Sequence, residues 1–120
     1  MHLVSNDAEY DLESLRVQHG NLIHVGRDRD NDIVLLDMPM KMISRRHAIL
    51  VNIQGDRFGV HPIVRCRNGV YVNNKRIHQF TLLRPGDELG FGGPRKIKFA
   101  GIKMDNPFLF RCCNESRSAL

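Results

Sequence analysis

The residues that can do chemistry in this sequence fall in three short polar clusters: Gly26-Arg27, Ser44-Arg45-Arg46-His47 and Asn68-Gly69. A guanidinium grips two oxygens of a phosphate, a hydroxyl donates to a third, and a carboxamide beside a glycine turn holds a peptide backbone. Such a set binds a phosphorylated ligand and leaves it chemically unchanged. Each cluster also has a plainer reading. Gly26-Arg27 alone marks a strand end carrying a solvated arginine. In the second cluster a hydroxyl sits beside two cations, so that Arg45 or Arg46 adds charge, whereas an ordinary serine turn needs neither. His47 opens an apolar run and is assigned a structural role, holding loop backbone through a ring nitrogen. Asn68-Gly69 is either a tight hairpin turn or a carboxamide projected from a loop end by the strand Val70-Tyr71-Val72-Asn73 that leaves it.

Strands must position these loops. Short apolar or alternating runs ended by Gly, Pro, Asn or Asp recur along the chain, and helical periodicity is scarce. Strands are expected at residues 1–4, 15–18, 21–25, 32–35, 47–53, 57–61, 70–72, 75–77, 80–83, 88–91, 96–100 and 107–112. Gln54-Gly55-Asp56 reverses the chain between two such runs, Asn73-Asn74 suits a hairpin with positive φ, and Pro85-Gly86 suits the centre of a type II turn. With no helix available for parallel crossovers, the pattern predicts an all-β, antiparallel sandwich whose loops at one end form the site.

Composition narrows the function. A chain of 120 residues with 42% hydrophobic content supports one domain that folds without metal or disulfide staples. Its formal net charge of +5 favours anionic partners. Cys66, Cys112 and Cys113 are odd in number and lack C-x-x-C spacing, so neither a disulfide framework nor a zinc site is indicated, and a reducing interior is expected. The N-terminus carries no signal-peptide pattern and no segment is long enough to cross a bilayer, so the chain reads as soluble, with no membrane partner. The sequon Asn114-Glu115-Ser116 is a chance match in that setting. No P-loop, nucleophile elbow or metal motif is present, which argues against an enzyme, and no cofactor is expected. Direct nucleic-acid binding through Arg65, Arg67, Lys75, Arg76, Arg95, Lys96 and Lys98 rests on charge alone, with few aromatics to stack bases.

The three clusters in this order, followed by Val70-Tyr71-Val72-Asn73 and Leu83-Arg84-Pro85-Gly86-Asp87-Glu88-Leu89, resemble the forkhead-associated (FHA) domain over roughly residues 22–100. The resemblance implies an antiparallel β-sandwich of about eleven strands with phosphothreonine-peptide-binding loops at one end. It implies that Arg27 pairs with the phosphate, that Ser44 donates its hydroxyl to it, and that Arg45 adds a contact. By the same resemblance Asn68 bonds the peptide backbone, while Gly26, His47 and Gly69 shape the loops. The chain departs from the family where Cys66 and Arg67 precede Asn68, where Val70 follows Gly69, and where Ile63-Val64-Arg65 replaces an acidic residue. Arg67 there either adds a phosphate donor or fills the peptide groove. Met38, Met40 and Met42 lie near the loops expected to read the peptide, as an apolar lining or as core filling. The resemblance places an FHA domain at residues 1–112 and a flexible tail at 113–120 leading to the rest of a longer protein. It implies an adaptor that binds a phosphothreonine-containing protein in nuclear DNA-damage or cell-cycle signalling. The alternative is a dimerisation scaffold of the same fold, a homodimer with weak or no phosphopeptide binding.

Overall fold

The computed structural model describes residues 1–36 and 41–114. Among these, thirteen strands and one helix follow in the order β1 (His2–Val4), β2 (Glu9–Asp11), α1 (Leu12–His19), β3 (Leu22–Gly26), β4 (Ile33–Val34), β5 (Ala48–Gln54), β6 (Arg57–Pro62), β7 (Val70–Val72), β8 (Lys75–Ile77), β9 (Thr81–Leu82), β10 (Glu88–Phe91), β11 (Lys96–Phe99), β12 (Ile102–Asp105) and β13 (Leu109–Cys113). A six-stranded sheet, ordered β2-β1-β13-β10-β7-β8, and a five-stranded sheet, β4-β3-β5-β6-β9, enclose the core; β11 and β12 pair only with each other. The chain is an all-β sandwich.

Alternation explains which side chains meet between the sheets. The buried row Ile23, Leu50 and Val60 crosses the five-stranded sheet, and Phe110, Leu89 and Val72 cross the six-stranded one. Burying each such side chain contributes about 1.5–3 kcal/mol. Phe91 stands edge-on to Phe110, with centroids 5.9 Å apart, and to His47 at 6.1 Å, so the aromatic core runs up to the floor of the second polar cluster. Cys112 also belongs to this core: burial pushes its thiol up to about 12, which leaves it protonated and inert.

Turn chemistry sets the registers. Asn73 and Asn74 have φ of +50° and +70° and join Val72 to its partner Lys75. That conformation is the type I′ turn, whose twist matches the strands. Gly86, at φ +94°, follows Pro85, and Asp87 N–H closes the turn on Arg84 O at 3.0 Å, as the Pro-Gly pair requires.

Three differences from the sequence expectation have local causes. Residues 15–18, expected as a strand, lie in α1. Asp11 caps that helix, its Oδ1 accepting from Glu13 N–H at 3.1 Å and Ser14 N–H at 3.4 Å, and Gly20 at φ +94° ends it. Leu12 and Leu15, three apart, turn toward the core, and Arg16 pairs with Glu13. Strands β2 and β12 were not anticipated. The turn into β12 uses Ala100 and Gly101 at φ +53° and +79°, and alanine carries no compositional mark of such a turn. Finally, β4 runs parallel to β3, with Val25 opposite Ile33, although no helix intervenes. Six loop residues suffice because β4 is only two residues long.

Candidate functional site

Three loops meet at one end of the sandwich. The first follows Gly26, the second leads into β5, and the third joins β6 to β7. Their approach depends on Gly26, because a Cβ there would lie 2.1 Å from Arg45 O. Gly26 is therefore required for space, not for an unusual φ. Gly26→Ala is expected to cost about 1–3 kcal/mol by forcing the two backbones apart, measurable as a lower urea midpoint with an unchanged slope.

With the backbones in contact, hydrogen bonds stitch the loops together. Arg27 N–H donates to Ser44 O at 3.0 Å, and Asp28 N–H donates to Arg45 O at 3.2 Å. Asn31, buried, donates through Nδ2 to Arg45 O at 2.8 Å and to Asp28 O at 2.9 Å. Asn31 thus carries the first loop onto the second, a role sequence reading missed. Nothing local marks it: it is one more polar residue in the stretch Asp28 to Asp32, reaching back to the Asp28 carbonyl.

His47 joins the second loop to the third. It is fully buried; Ser44 N–H donates to its Nδ1 at 3.0 Å, and Nε2 lies 2.7 Å from Gly69 O. The first bond makes Nδ1 the acceptor, so the proton sits on Nε2 and is donated to Gly69 O. Gly69, at φ +80°, is not the centre of a hairpin: its carbonyl also accepts from Gly92 N–H at 2.9 Å. Asn106 holds the segment containing Gly92, donating through Nδ2 to Phe91 O at 3.2 Å and Gly93 O at 2.8 Å. The plain-turn reading of Asn68-Gly69 thus gives way to a loop end pinned from two sides.

Ser44 is the junction of all three loops. Its N–H is committed to His47, and its Oγ accepts from Arg67 N–H at 3.3 Å, which leaves the hydroxyl hydrogen as its donor to a ligand. Asn68 donates through Nδ2 to Met42 O at 3.0 Å. One amide hydrogen and the Asn68 carbonyl oxygen have no partner among the described residues. Met42 itself is buried in the core, whereas Met38 and Met40 lie outside the described residues.

Charge separates the arginines. Arg27 is exposed and anchored through Nε to Ile43 O at 3.1 Å, which aims its guanidinium from a fixed stem. Among the described residues, its two terminal nitrogens and the guanidinium groups of Arg45 and Arg67 meet no carboxylate. Arg46, the other cation beside Ser44, is already spent: it pairs with Asp30 at 2.7 Å and reaches Asn31 Oδ1 at 3.2 Å. Three guanidiniums that meet no carboxylate among the described residues, on the loops that carry the Ser44 hydroxyl, are donors chemically suited to a phosphoryl group. Arg67 also stands beside Ser44, and no described contact holds its side chain across the loops.

Comparison with known proteins agrees with the fold. The family model described as "FHA domain" matches residues 23–92. No curated protein matches the sequence. Among solved structures, the FHA domain of CT664 from Chlamydia trachomatis superposes with a TM-score of 0.64 at 21% identity, covering 96% of this chain and 95% of that one. Mycobacterium tuberculosis EmbR, solved in complex with a low-affinity phosphopeptide, gives 0.59 at 23% identity over 96% of this chain; the chain spans 24% of EmbR. A domain studied for phosphothreonine-dependent FHA domain interactions gives 0.57 at 25% identity, covering 75% of this chain and 82% of that one.

Proposed function

This chain belongs to the forkhead-associated domain family, and from that premise we propose that it is a phosphothreonine-peptide-binding adaptor module. The observation that carries the reading is the set of guanidiniums without a carboxylate partner among the described residues, Arg27, Arg45 and Arg67, on the loops that meet at Ser44. Arg27 grips two phosphate oxygens from its anchored stem, and Ser44 donates its hydroxyl hydrogen to a third. Arg45 and Arg67 add charge. Asn68, with a carbonyl oxygen and an amide hydrogen to spare, bonds the peptide backbone beside the phosphothreonine. Gly26, His47 and Gly69 keep the three loops in register and touch no ligand. The loops transfer no group: family members are protein-interaction modules, and this one reads a modification made elsewhere.

Calorimetry with a degenerate phosphothreonine library against its unphosphorylated counterpart tests the proposal. Saturable heat with the phosphorylated library alone is the expected result; equal heats, or none, sink it. The finer reading, a ligand in nuclear DNA-damage or cell-cycle signalling, is supported by the motif resemblance. Exclusion of the tagged full-length protein from the nucleus would overturn it.

A second reading, a dimerisation scaffold, draws support from the outer face of the five-stranded sheet. There Leu22, Val51, Gly59 and Leu82 form one cross-strand row, and the Phe80 ring lies against Gly59, where a Cβ would come within 2.2 Å of it. Leu22 and Phe80 remain 48% and 41% exposed, an apolar surface where an antiparallel sheet normally shows polar residues. Cys112, by contrast, offers such a scaffold no surface, being buried. Sedimentation over a wide concentration range decides: a monomer throughout rejects the dimer.

A further inference from the structure

Gripping a phosphate at Arg27 and Ser44 leaves Arg76 without a task, yet Arg76 lies against the same loops. It stands on β8 opposite Tyr71, and its side chain crosses Gly69 so closely that a Cβ there would lie 2.5 Å from Arg76 Nε. Gly69 therefore serves twice, supplying positive φ and a bare backbone on which a guanidinium can rest. Arg76 Nη2 also points at Arg67 O, 3.4 Å away. Arg67 in turn has its backbone N–H on Ser44 Oγ at 3.3 Å, the hydroxyl assigned above to the phosphate. Arg65, two positions earlier, is exposed, and between the two arginines Cys66 is buried, its N–H held by Ile63 O at 2.9 Å. Burial pushes the Cys66 thiol up while the nearby positive charge of Arg76 pulls it down.

Counterions separate these residues from three arginines elsewhere on the surface. Arg16, Arg46 and Arg95 each meet a carboxylate, at Glu13, Asp30 and Glu88. Among the described residues, Arg65, Arg67 and Arg76 meet none. Like charges carried on one loop and its neighbouring strand repel, so an anion supplied from outside is favoured there. Arg67 is shared with the phosphate-gripping set, whereas Arg65 and Arg76 lie outside it, Arg65 in the loop after β6 and Arg76 on β8.

We propose that Arg65, Arg67 and Arg76 form a second anion subsite, which takes a carboxylate or second phosphoryl group borne by the same peptide as the phosphothreonine. The subsite rests on the phosphopeptide reading and adds selectivity to it: the favoured ligands are acidic or multiply phosphorylated segments. Arg76 contributes a planar fork that Gly69 holds flat, so a lysine there replaces the charge but not the geometry.

Calorimetry on the whole chain tests this with three peptide sets: a phosphothreonine in neutral flanks, the same peptide with one aspartate scanned through the flanks, and the same with a second phosphothreonine scanned likewise. At the best register the aspartate set is expected to bind about tenfold tighter than the neutral peptide, and a doubly phosphorylated peptide tighter still. The two scanned sets identify which anion the subsite prefers. Arg76→Gln and the exposed Arg65→Gln are expected to leave neutral-flank binding within roughly twofold and to remove most of the gain. A gain below about twofold at every register, or one undiminished in both variants, overturns the subsite. Unchanged unfolding midpoints establish that each variant is folded, and Arg65→Gln, on an exposed loop position, keeps the test open if Arg76→Gln is not. Binding of the neutral-flank peptide with no effect of added acid removes the subsite alone. Absence of binding by every phosphothreonine peptide removes it together with the phosphopeptide reading.

Discussion

Arg27→Ala is expected to weaken phosphothreonine-peptide binding by at least about 100-fold, roughly 3 kcal/mol, while leaving the fold standing. The size of the loss follows from what the residue supplies. Its stem is fixed by the Nε bond to Ile43 O, so the two terminal nitrogens are aimed before the ligand arrives and little side-chain entropy is lost on binding. Alanine removes both bonds to the phosphate and leaves its oxygens against a protein surface that no longer repays their desolvation. Stability changes far less. Arg27 is exposed, and the fold loses one side-chain bond, about 1 kcal/mol, whereas the backbone bond from Arg27 N–H to Ser44 O survives the substitution. Arg27→Lys is expected to fall between wild type and alanine, because it keeps a charge but not the fork. Urea titration and calorimetry on the same preparations separate the two effects. A variant that binds within about threefold of wild type shows that Arg45 and Arg67 carry the phosphate instead.

The same grip fixes a pH response. A phosphothreonine loses its second proton near pH 6 and arginine stays charged throughout, so affinity is expected to be full above about pH 7 and to fall as pH drops toward 5. Loss in that direction, absent for a non-titrating sulfonate analogue, assigns the effect to the ligand and not to the loops.

Where the sequence was legible, the deciding chemistry was local. Asn73-Asn74 and Pro85-Gly86 dictate their own φ angles, and the strands beside them, β7, β8 and β10, have the expected bounds. The helix was equally local but was overlooked: Asp11 as cap, Leu12 and Leu15 three apart, and Gly20 as terminator are all present in the chain. Reading residues 15–18 apart from those flanks gave a strand. What sequence cannot show is partner choice across loops. Arg45 and Arg46 are chemically alike, and only the fold places Asp30 within reach of one of them. Arg76 looked like ordinary surface charge until Gly69 appeared beneath it. The site's cations are thus identifiable by type, but their availability depends on where the carboxylates fall.

His47→Ala makes the converse prediction, a large loss of stability from a residue that touches no ligand. Its ring occupies buried space against Phe91 while joining Ser44 N–H to Gly69 O. Alanine strands the Ser44 donor, takes one of two donors from the Gly69 carbonyl, and opens a cavity at the end of the aromatic core. An unsatisfied buried group costs about 1–3 kcal/mol, and the cavity adds a comparable amount, so a total of about 3–5 kcal/mol is expected. For a domain of this size that is a large share of its stability. Binding falls for a different reason than in Arg27→Ala. All the phosphate contacts remain, but the second and third loops lose their common anchor, so Ser44 and Asn68 are no longer held in register and the ligand must order them. The folded fraction of His47→Ala is therefore expected to bind about tenfold more weakly, with a less favourable entropy, while Arg27→Ala loses chiefly enthalpy. Hydrogen exchange supplies the local check: the Ser44 amide should lose protection in His47→Ala and retain it in Arg27→Ala. If the Ser44 amide stays protected without the imidazole, the loops are held by Gly26 and Asn31 alone, and His47 is core filling and nothing more.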